Sequence, residues 1–501
     1  MLIGNPNSRV TFQRFFLIAV ILIYVSLRVF FSNNGFFWDS IAGVSIPATF
    51  LYEHGLFNFA YPSTFVAEPP LVHFYVAASW KLFGRTLLVT HMGMMLMGIG
   101  VVFQLHRLLK RYASTMFYYL FFMVLVVESV LLTQLLITSS DIFLFFFFLL
   151  GVNSILDRKR WWLMLAVFLL AATSMRAFAM TAGLGLWYVF MNGRAMPGRH
   201  HLSILWHSFV PFIPAVVVML GFLIYRKTTL GVFLLHPDSA WVDDRQWAGF
   251  AGLVKNLLTL GWFSVEGGKF FWWLLLFFGL WRFGWREVLK SVPASLGVLL
   301  LTVSLVMLVI TLPLSNNFGP RYFAMHFILF ELLVLLMVRR LWKKKVAAVL
   351  MVVGAVLMLA SNLIPYPERK ARAWDSTLAH LPYYELRERV INHFDTFSIP
   401  LEKVGFGFPN TAPLDAADLS GDTRRFSDID TLTNHYVVYT NIGNRPDWEI
   451  DYFSRKKCYC SYESGGVFMR IYRIKEDTKR VLDVDDAIDQ MLMIPNDIPF
   501  F

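Results

Sequence analysis

"FFLIAVILIYVSLRVFFSNNGFFWDS", residues 15–40, decides what kind of protein this is. The part from Phe15 to Phe31 is apolar apart from Arg28 and long enough to enter a bilayer. A few residues later Phe36, Phe37 and Trp38 lead directly into a carboxylate, Asp39. An ionisable group at the lip of a membrane span is costly to place, so its position carries information about function.

The rest of the chain repeats this apolar character. Hydrophobic residues make up 57% of its 501 residues, 49 of them Phe. Soluble domains run nearer about 45–50%. The reading is a polytopic α-helical membrane protein. Spans are expected at 15–31, 87–105, 114–132, 138–156, 161–174, 177–192, 203–225, 270–283, 292–313, 322–338 and 346–363, about eleven transmembrane helices. The first run has no small-residue cleavage site before its polar flank and reads as a retained anchor.

The net charge of +11 does not point to nucleic acid, because alternate short loops hold much of the positive charge. These loops carry Arg9 and Arg14; Arg107, Lys110 and Arg111; Arg158, Lys159 and Arg160; Arg194 and Arg199; Arg282, Arg286 and Lys290; and Arg339, Arg340, Lys343, Lys344 and Lys345. The positive-inside rule then puts the N-terminus in the cytoplasm and four segments on the far side. They are a first loop at about 32–86, a loop at about 226–269, a turn at 314–321, and the tail. Residues 1–363 form the expected membrane domain and 364–501 a small extracytoplasmic α/β domain. In that domain 383–394 reads as an amphipathic helix and 403–408, 435–440 and 467–474 as strands. The two cysteines, Cys458 and Cys460, match no zinc or redox spacing and read as structural.

Several ionisable residues from distant parts of the chain share one expected membrane level: Arg28, Glu128, Asp141 in "TSSDIFLF", Arg176 in "TSMRAF", and Arg321 with Tyr322 in "NNFGPRYF". Asp39 and Glu68 lie in the first outer loop, and Glu331 falls deeper. Taken singly, each reads as a snorkelling or paired interfacial charge. Together, acids and arginines at one level suit a site that binds an anionic headgroup and activates a hydroxyl. A guanidinium matches phosphate through its planar fork of donors, and a carboxylate suits proton abstraction. In the first outer loop, "SIAGVSIPATFLYEHG" (40–55) and "AEPPLVHFYVAASWKLFG" (67–84) read as interfacial helices rimming a cavity. His73 and Glu68 there, and Arg245 in "HPDSAWVDDRQW" (236–247), are candidate substrate contacts. No cofactor is expected. A divalent metal among Asp39, Glu53, His54, Glu68 and His73 is the weaker alternative, since no HxxxH or DxD pattern occurs.

Three of these features resemble the GT-C glycosyltransferases that use polyprenyl-phosphate sugars: the acid soon after the first span, the "PPL" to "LFG" segment (69–84), and an "RY" opening a late span. The chain is similar to the branch containing the dolichyl-phosphate-mannose protein mannosyltransferases and the bacterial enzyme that adds aminoarabinose to lipid A. The resemblance implies a GT-C fold in the cell inner membrane. It also implies a polyprenyl-phosphate-linked sugar as donor, a hydroxyl acceptor and inversion at the sugar carbon. It implies Asp39 as the catalytic base or acceptor-orienting carboxylate, Asp141 as a second catalytic carboxylate, and Arg176, Arg321 and Tyr322 as donor-phosphate contacts. The chain departs from those relatives at Glu68-Pro69-Pro70-Leu71, where close relatives of the lipid A enzyme have Lys-Pro-Pro-Leu. It departs again at Asp39-Ser40, where the mannosyltransferases have Asp-Glu. The competing function class is a transporter or lipid flippase, which would carry its charges at mid-membrane on broken helices.

Overall fold

The apolar runs form helices because a backbone inside lipid must satisfy its own hydrogen bonds. A computed structural model describes residues 6–61, 68–113, 115–196, 198, 200–233, 237, 242, 245–315, 318–370, 373–443 and 445–475. The first anchor is helix α1 (Pro6–Phe30). In the following loop a π-helical turn, Ile41–Ser45, runs into α2 (Ile46–His54), and after Pro69-Pro70 comes α3 (Leu71–Phe83). Glycines in extended, positive-φ conformations, Gly55 and Gly84, end α2 and α3.

Beyond these come α4 (Leu87–Tyr112), α5 (Thr115–Val126), α6 (Ser129–Leu136), α7 (Asp141–Leu156), α8 (Arg160–Ala171) and α9 (Met175–Ala195). Next are α10 (His201–Phe209), α11 (Ile213–Leu230), α12 (Gly249–Val265) and α13 (Phe270–Phe283). The membrane unit ends with α14 (Trp285–Ser291), α15 (Ala294–Thr311), α16 (Ala324–Leu341) and α17 (Lys344–Ser361). Among the described residues, six stretches are long and apolar enough to cross a bilayer: Phe12–Phe30, Leu87–Tyr112, His201–Leu230, Ala294–Thr311, Pro320–Leu341 and Lys344–Ser361. This is an integral membrane protein.

Two expectations about the spans need correction. The span expected at 114–132 is two helices, α5 and α6, bent by 68° at Val127-Glu128. The loop expected at 226–269 contains an apolar helix, α12, which meets α13 at a 90° bend. Both breaks have local causes. Glu128 turns its side chain onto the Leu131 N–H at 2.7 Å and caps a new helix, α6. At the second break Gly267 and Gly268 take left-handed φ values of +63° and +82°. The two breaks meet: Lys269 Nζ lies 3.7 Å from Glu128 Oε1 and 3.4 Å from Ser129 Oγ.

Helix packing relies on close backbone approach, as expected where lipid supplies no hydrophobic drive between helices. A Cβ on Gly183 of α9 would lie 2.8 Å from the Val303 Cα of α15. Arg28 is buried and donates to the carbonyls of Leu136 and Ile137 at 2.5 and 3.1 Å, closing the C-terminal end of α6.

The chain forms two compact units. One is residues 1–364 together with Asp375–Leu378; the other is Pro365–Trp374 with the described residues from Ala379 onward. In the second unit β1 (Val404–Phe406), β2 (Tyr436–Thr440), β3 (Cys460–Ser464) and β4 (Val467–Arg473) form one sheet in the order β1-β2-β4-β3. β1 and β2 are parallel, and the other pairings are antiparallel, with Val438 opposite Ile471 and Tyr462 opposite Met469. The sheet core gathers Val437, Tyr439, Ile450, Phe453 and Tyr472. The amphipathic helix is α18 (Tyr383–Thr396). Cys458 and Cys460 are free thiols.

Gly268 joins the break to α17: its Cβ would fall 2.7 Å from both Met358 N and Cα, at a φ that L residues rarely adopt. Gly268→Ala is therefore expected to destabilise the membrane unit by about 2–4 kcal/mol. A lower thermal unfolding midpoint in detergent would register it.

Candidate active site

Helices α7, α8 and α9 are joined by the short connections 157–159 and 172–174, so α7 and α9 begin at the same end of the bundle. Each N-terminus carries one of the candidate side chains. Asp141 is the first residue of α7, where the helix dipole favours a carboxylate; its N–H donates to Ser139 Oγ at 3.2 Å. Arg176 is the second residue of α9, and the side chain of the N-cap, Ser174, accepts from the Ala177 N–H at 3.0 Å. The dipole opposes an arginine there, so the end of α9 is doubly attractive to an anion. Glu68 answers this attraction: its Oε2 accepts from the Met175 N–H at 2.8 Å. Burial pushes the Glu68 carboxyl above its usual range, against the Met175 N–H and the Arg176 and Arg245 charges.

Arg321 and Tyr322 lie in the 3-10 turn Pro320–Phe323 that leads into α16. The Arg321 guanidinium is the hub of the site. Its Nη2 donates to Asp39 Oδ2, its Nη1 lies 3.7 Å from Asp141 Oδ2, and its Nε lies 3.1 Å from Asp375 Oδ2. Asp141 is also bound by Arg176 through Nη2 to Oδ1. Tyr322 lies beneath both cations, with its ring centroid 4.2 Å from the Arg176 Cζ and 5.5 Å from that of Arg321.

Asp39 reaches this cluster because Trp38 adopts a left-handed φ of 57° and Ser40 Oγ bonds the Phe37 carbonyl at 2.5 Å and its N–H at 3.0 Å. Phe36, Phe37 and Trp38 are buried and anchor the turn. Of the three carboxylates on Arg321, Asp39 is the most open: its side chain is 27% exposed, against 1% for Asp141 and 3% for Asp375.

These residues border a cavity of about 910 Å3. Asp39, Glu68, Arg176, Arg245, Arg321 and Tyr322 all line it, and Asp141 sits behind the arginines. Six of the eight sequence candidates thus face one space. His73 does not: it is buried, with Nε2 2.8 Å from the Gly43 carbonyl and Nδ1 3.2 Å from the Tyr61 hydroxyl. That environment fixes the first-loop helices together and corrects the reading of His73 as a substrate contact. Asp238, Asp243 and Asp244 lie outside the described residues. Among the described residues the acids that converge do so on a guanidinium, and no group of three or more His, Cys, Asp or Glu is arranged to hold a metal ion.

Sequence reading missed Asp375. It belongs to the short stretch Asp375–Leu378 that packs with the membrane unit. Gln134 Nε2 donates to its carbonyl at 2.6 Å, while Asn362 binds the Leu378 N–H at 2.8 Å and the Thr377 hydroxyl at 2.8 Å. Burial pushes the Asp375 carboxyl up to about 6, the Arg321 charge opposing the rise and Asp39 and Asp141 adding to it. A polar stretch well beyond the last apolar span gives no sequence signal for this role.

A second, largely apolar groove of about 980 Å3 runs between α9 and the α10–α11 pair and shares Phe178 with the first cavity.

No family model matches the chain, and no curated protein matches it. Among solved structures the chain is similar to ArnT from Cupriavidus metallidurans bound to undecaprenyl phosphate. Identity is 12% and the TM-score 0.46, over 92% of this chain and 98% of that one. It is likewise similar to the apo state of the same protein, at 11% identity and a TM-score of 0.49 with the same coverage.

Removing the hub would leave three carboxylates facing one another in a buried setting. Arg321→Gln is expected to cost about 3–5 kcal/mol at pH 7.5. The guanidinium opposes the rise at Asp375, so without it that carboxyl holds its proton more tightly, and stability is regained as pH falls and lost as pH rises through its folded-state value. Thermal unfolding of wild type and variant at pH 7.5 and 4.5 should show a gap that narrows at the acid end.

Proposed function

We propose that this protein is a membrane glycosyltransferase of the GT-C type. In this reading it moves a sugar from a polyprenyl-phosphate donor to a hydroxyl acceptor at the extracytoplasmic face of the cell inner membrane. The observation that carries the reading is one cavity in which an accessible carboxylate, Asp39, stands beside two arginines, Arg176 and Arg321, stacked on Tyr322. Proton acceptor and phosphate clamp are adjacent, as displacement at a phosphorylated sugar carbon requires.

The acceptor hydroxyl gives its proton to Asp39 as its oxygen bonds to the sugar C1. The bond from C1 to the phosphate oxygen breaks, and its electron pair leaves with the polyprenyl phosphate. Arg176 and Arg321 take up the charge on the departing phosphate. A single displacement of this kind inverts C1. Asp141, buried between the two arginines, acts by positioning them. The apolar groove beside α9 offers the isoprenoid tail a path that joins the polar cavity at Phe178. Glu68 and Arg245 face the remaining volume, where sugar or acceptor would lie.

A lipid transporter or flippase is the second reading, and a specific feature favours it. Glu128, Lys269 and Glu331 are buried together where two helix pairs break. Glu331 accepts no hydrogen bond at either oxygen. Buried charges on broken helices are the usual apparatus of transport.

Asp39→Asn separates the two. For a transferase, sugar transfer from polyprenyl-phosphate donors in proteoliposomes should fall by about 10²–10⁴-fold with undecaprenyl phosphate binding retained. Mass spectrometry of envelope glycolipids and glycoproteins in cells carrying wild type or D39N would name the acceptor. A D39N protein with full transfer activity would overturn Asp39 as base. Lipid movement without any transfer by the wild type would favour the transporter.

A further inference from the structure

Arg321 carries more negative charge than a phosphate clamp needs. Two arginines face three carboxylates, and the third, Asp375, does not line the cavity. A buried carboxylate with no substrate to touch is expensive, and a neutral side chain would cost less. Yet the segment bearing it is tied into the membrane unit by the Gln134 bond to its own carbonyl and by the Asn362 bonds to Thr377 and Leu378. Asn362 is itself fixed, its Nδ2 donating to the Ser129 carbonyl at 3.2 Å. The groups facing the carboxyl are Arg321 from the turn before α16, Asp39 from the turn before α2, Asp141 from α7, and the hydroxyl of Ser376 on its own segment.

We propose that Asp375 is a positioning residue that holds the Nε edge of Arg321 while Nη2 reaches Asp39 at the cavity wall, and by its charge limits how tightly Arg321 grips a phosphate. This inference rests on the donor-phosphate reading of the cavity. With Asp375 ionised, an arriving phosphate meets a guanidinium already largely neutralised, so the polyprenyl phosphate left after transfer departs readily. With Asp375 protonated, Arg321 regains net positive charge and holds the phosphate longer. The carboxyl, raised to about 6, makes the change over a moderately acidic range. The chain after the last apolar helix thereby sets a property of the membrane cavity through one side chain.

Asp375→Asn keeps the shape and removes the charge; Asp375→Glu keeps the charge. Undecaprenyl phosphate binding to the purified full-length protein in detergent is measured for each at pH 7.5 and 5. The ratio of wild-type to variant Kd cancels the titration of the lipid phosphate. D375N should bind about fivefold tighter than wild type at pH 7.5 and equally at pH 5. D375E should follow wild type at both.

Thermal unfolding gives a reading independent of any ligand. A carboxyl whose folded value is raised contributes stability at low pH that is lost as pH rises through about 6. D375N should therefore be more thermostable than wild type above pH 6, with the gap closing toward pH 4. A merely structural residue would instead make D375N less stable. Wild-type binding that D375N leaves unchanged at both pH values overturns this inference alone. A wild type that binds no undecaprenyl phosphate overturns the donor reading and this inference together.

Discussion

The ion cluster around Arg321 is the constraint on which the site depends. One guanidinium offers five N–H donors in a fixed plane, and here its edges meet Asp39, Asp141 and Asp375 from three separate segments. Burying any one of these charges alone would be prohibitive. Buried together they compensate one another, provided that the turn after α1, the start of α7, the turn before α16 and the segment after α17 all arrive at one place. Arg176 extends the cluster through Asp141, and Tyr322 supplies a polarisable floor for both cations. Any anion entering here would compete with carboxylates already in place.

The helix termini explain why charge gathers at this end of the bundle. α7, α9 and α16 all begin there, each with unpaired backbone N–H groups and a positive dipole end. Ser139 Oγ accepts from the first N–H of α7 and Glu68 from the first N–H of α9. The second buried cluster, Glu128 with Lys269 and Glu331, follows the same rule at the breaks: Glu128 caps α6, and Lys269 precedes the first turn of α13. A helix interrupted inside an apolar bundle exposes polar backbone groups, and charged side chains are the means at hand to satisfy them.

Much of the architecture was legible because hydropathy and helical periodicity are local properties. The apolar runs became helices, the Gly55 stop held, and the amphipathic helix and three strands of the second unit appeared where spacing put them. The edge strand Cys460–Ser464 was not legible, because its alternation is polar on both faces and its partner β4 supplies the pairing. The helix breaks were obscured for a related reason. The run 114–132 reads by composition as a continuous span and 226–269 as a loop before the span 270–283, and only the capping of Glu128 and the positive φ of Gly267 and Gly268 set the bends.

By itself the sequence determined that the chain is membrane-embedded and which ionisable residues sit at helix starts, since both follow from side chains read one neighbourhood at a time. It therefore named Asp39, Asp141, Arg176, Arg321 and Tyr322. Only the tertiary structure decided that four of these share one cavity with Asp141 paired behind its arginines, that His73 turns away to the Gly43 carbonyl, and that Asp375 returns from beyond the last apolar helix to complete the charge around Arg321. Electrostatic partnership depends on distance in space, and residues 39, 141, 321 and 375 are neighbours only once the helices have packed.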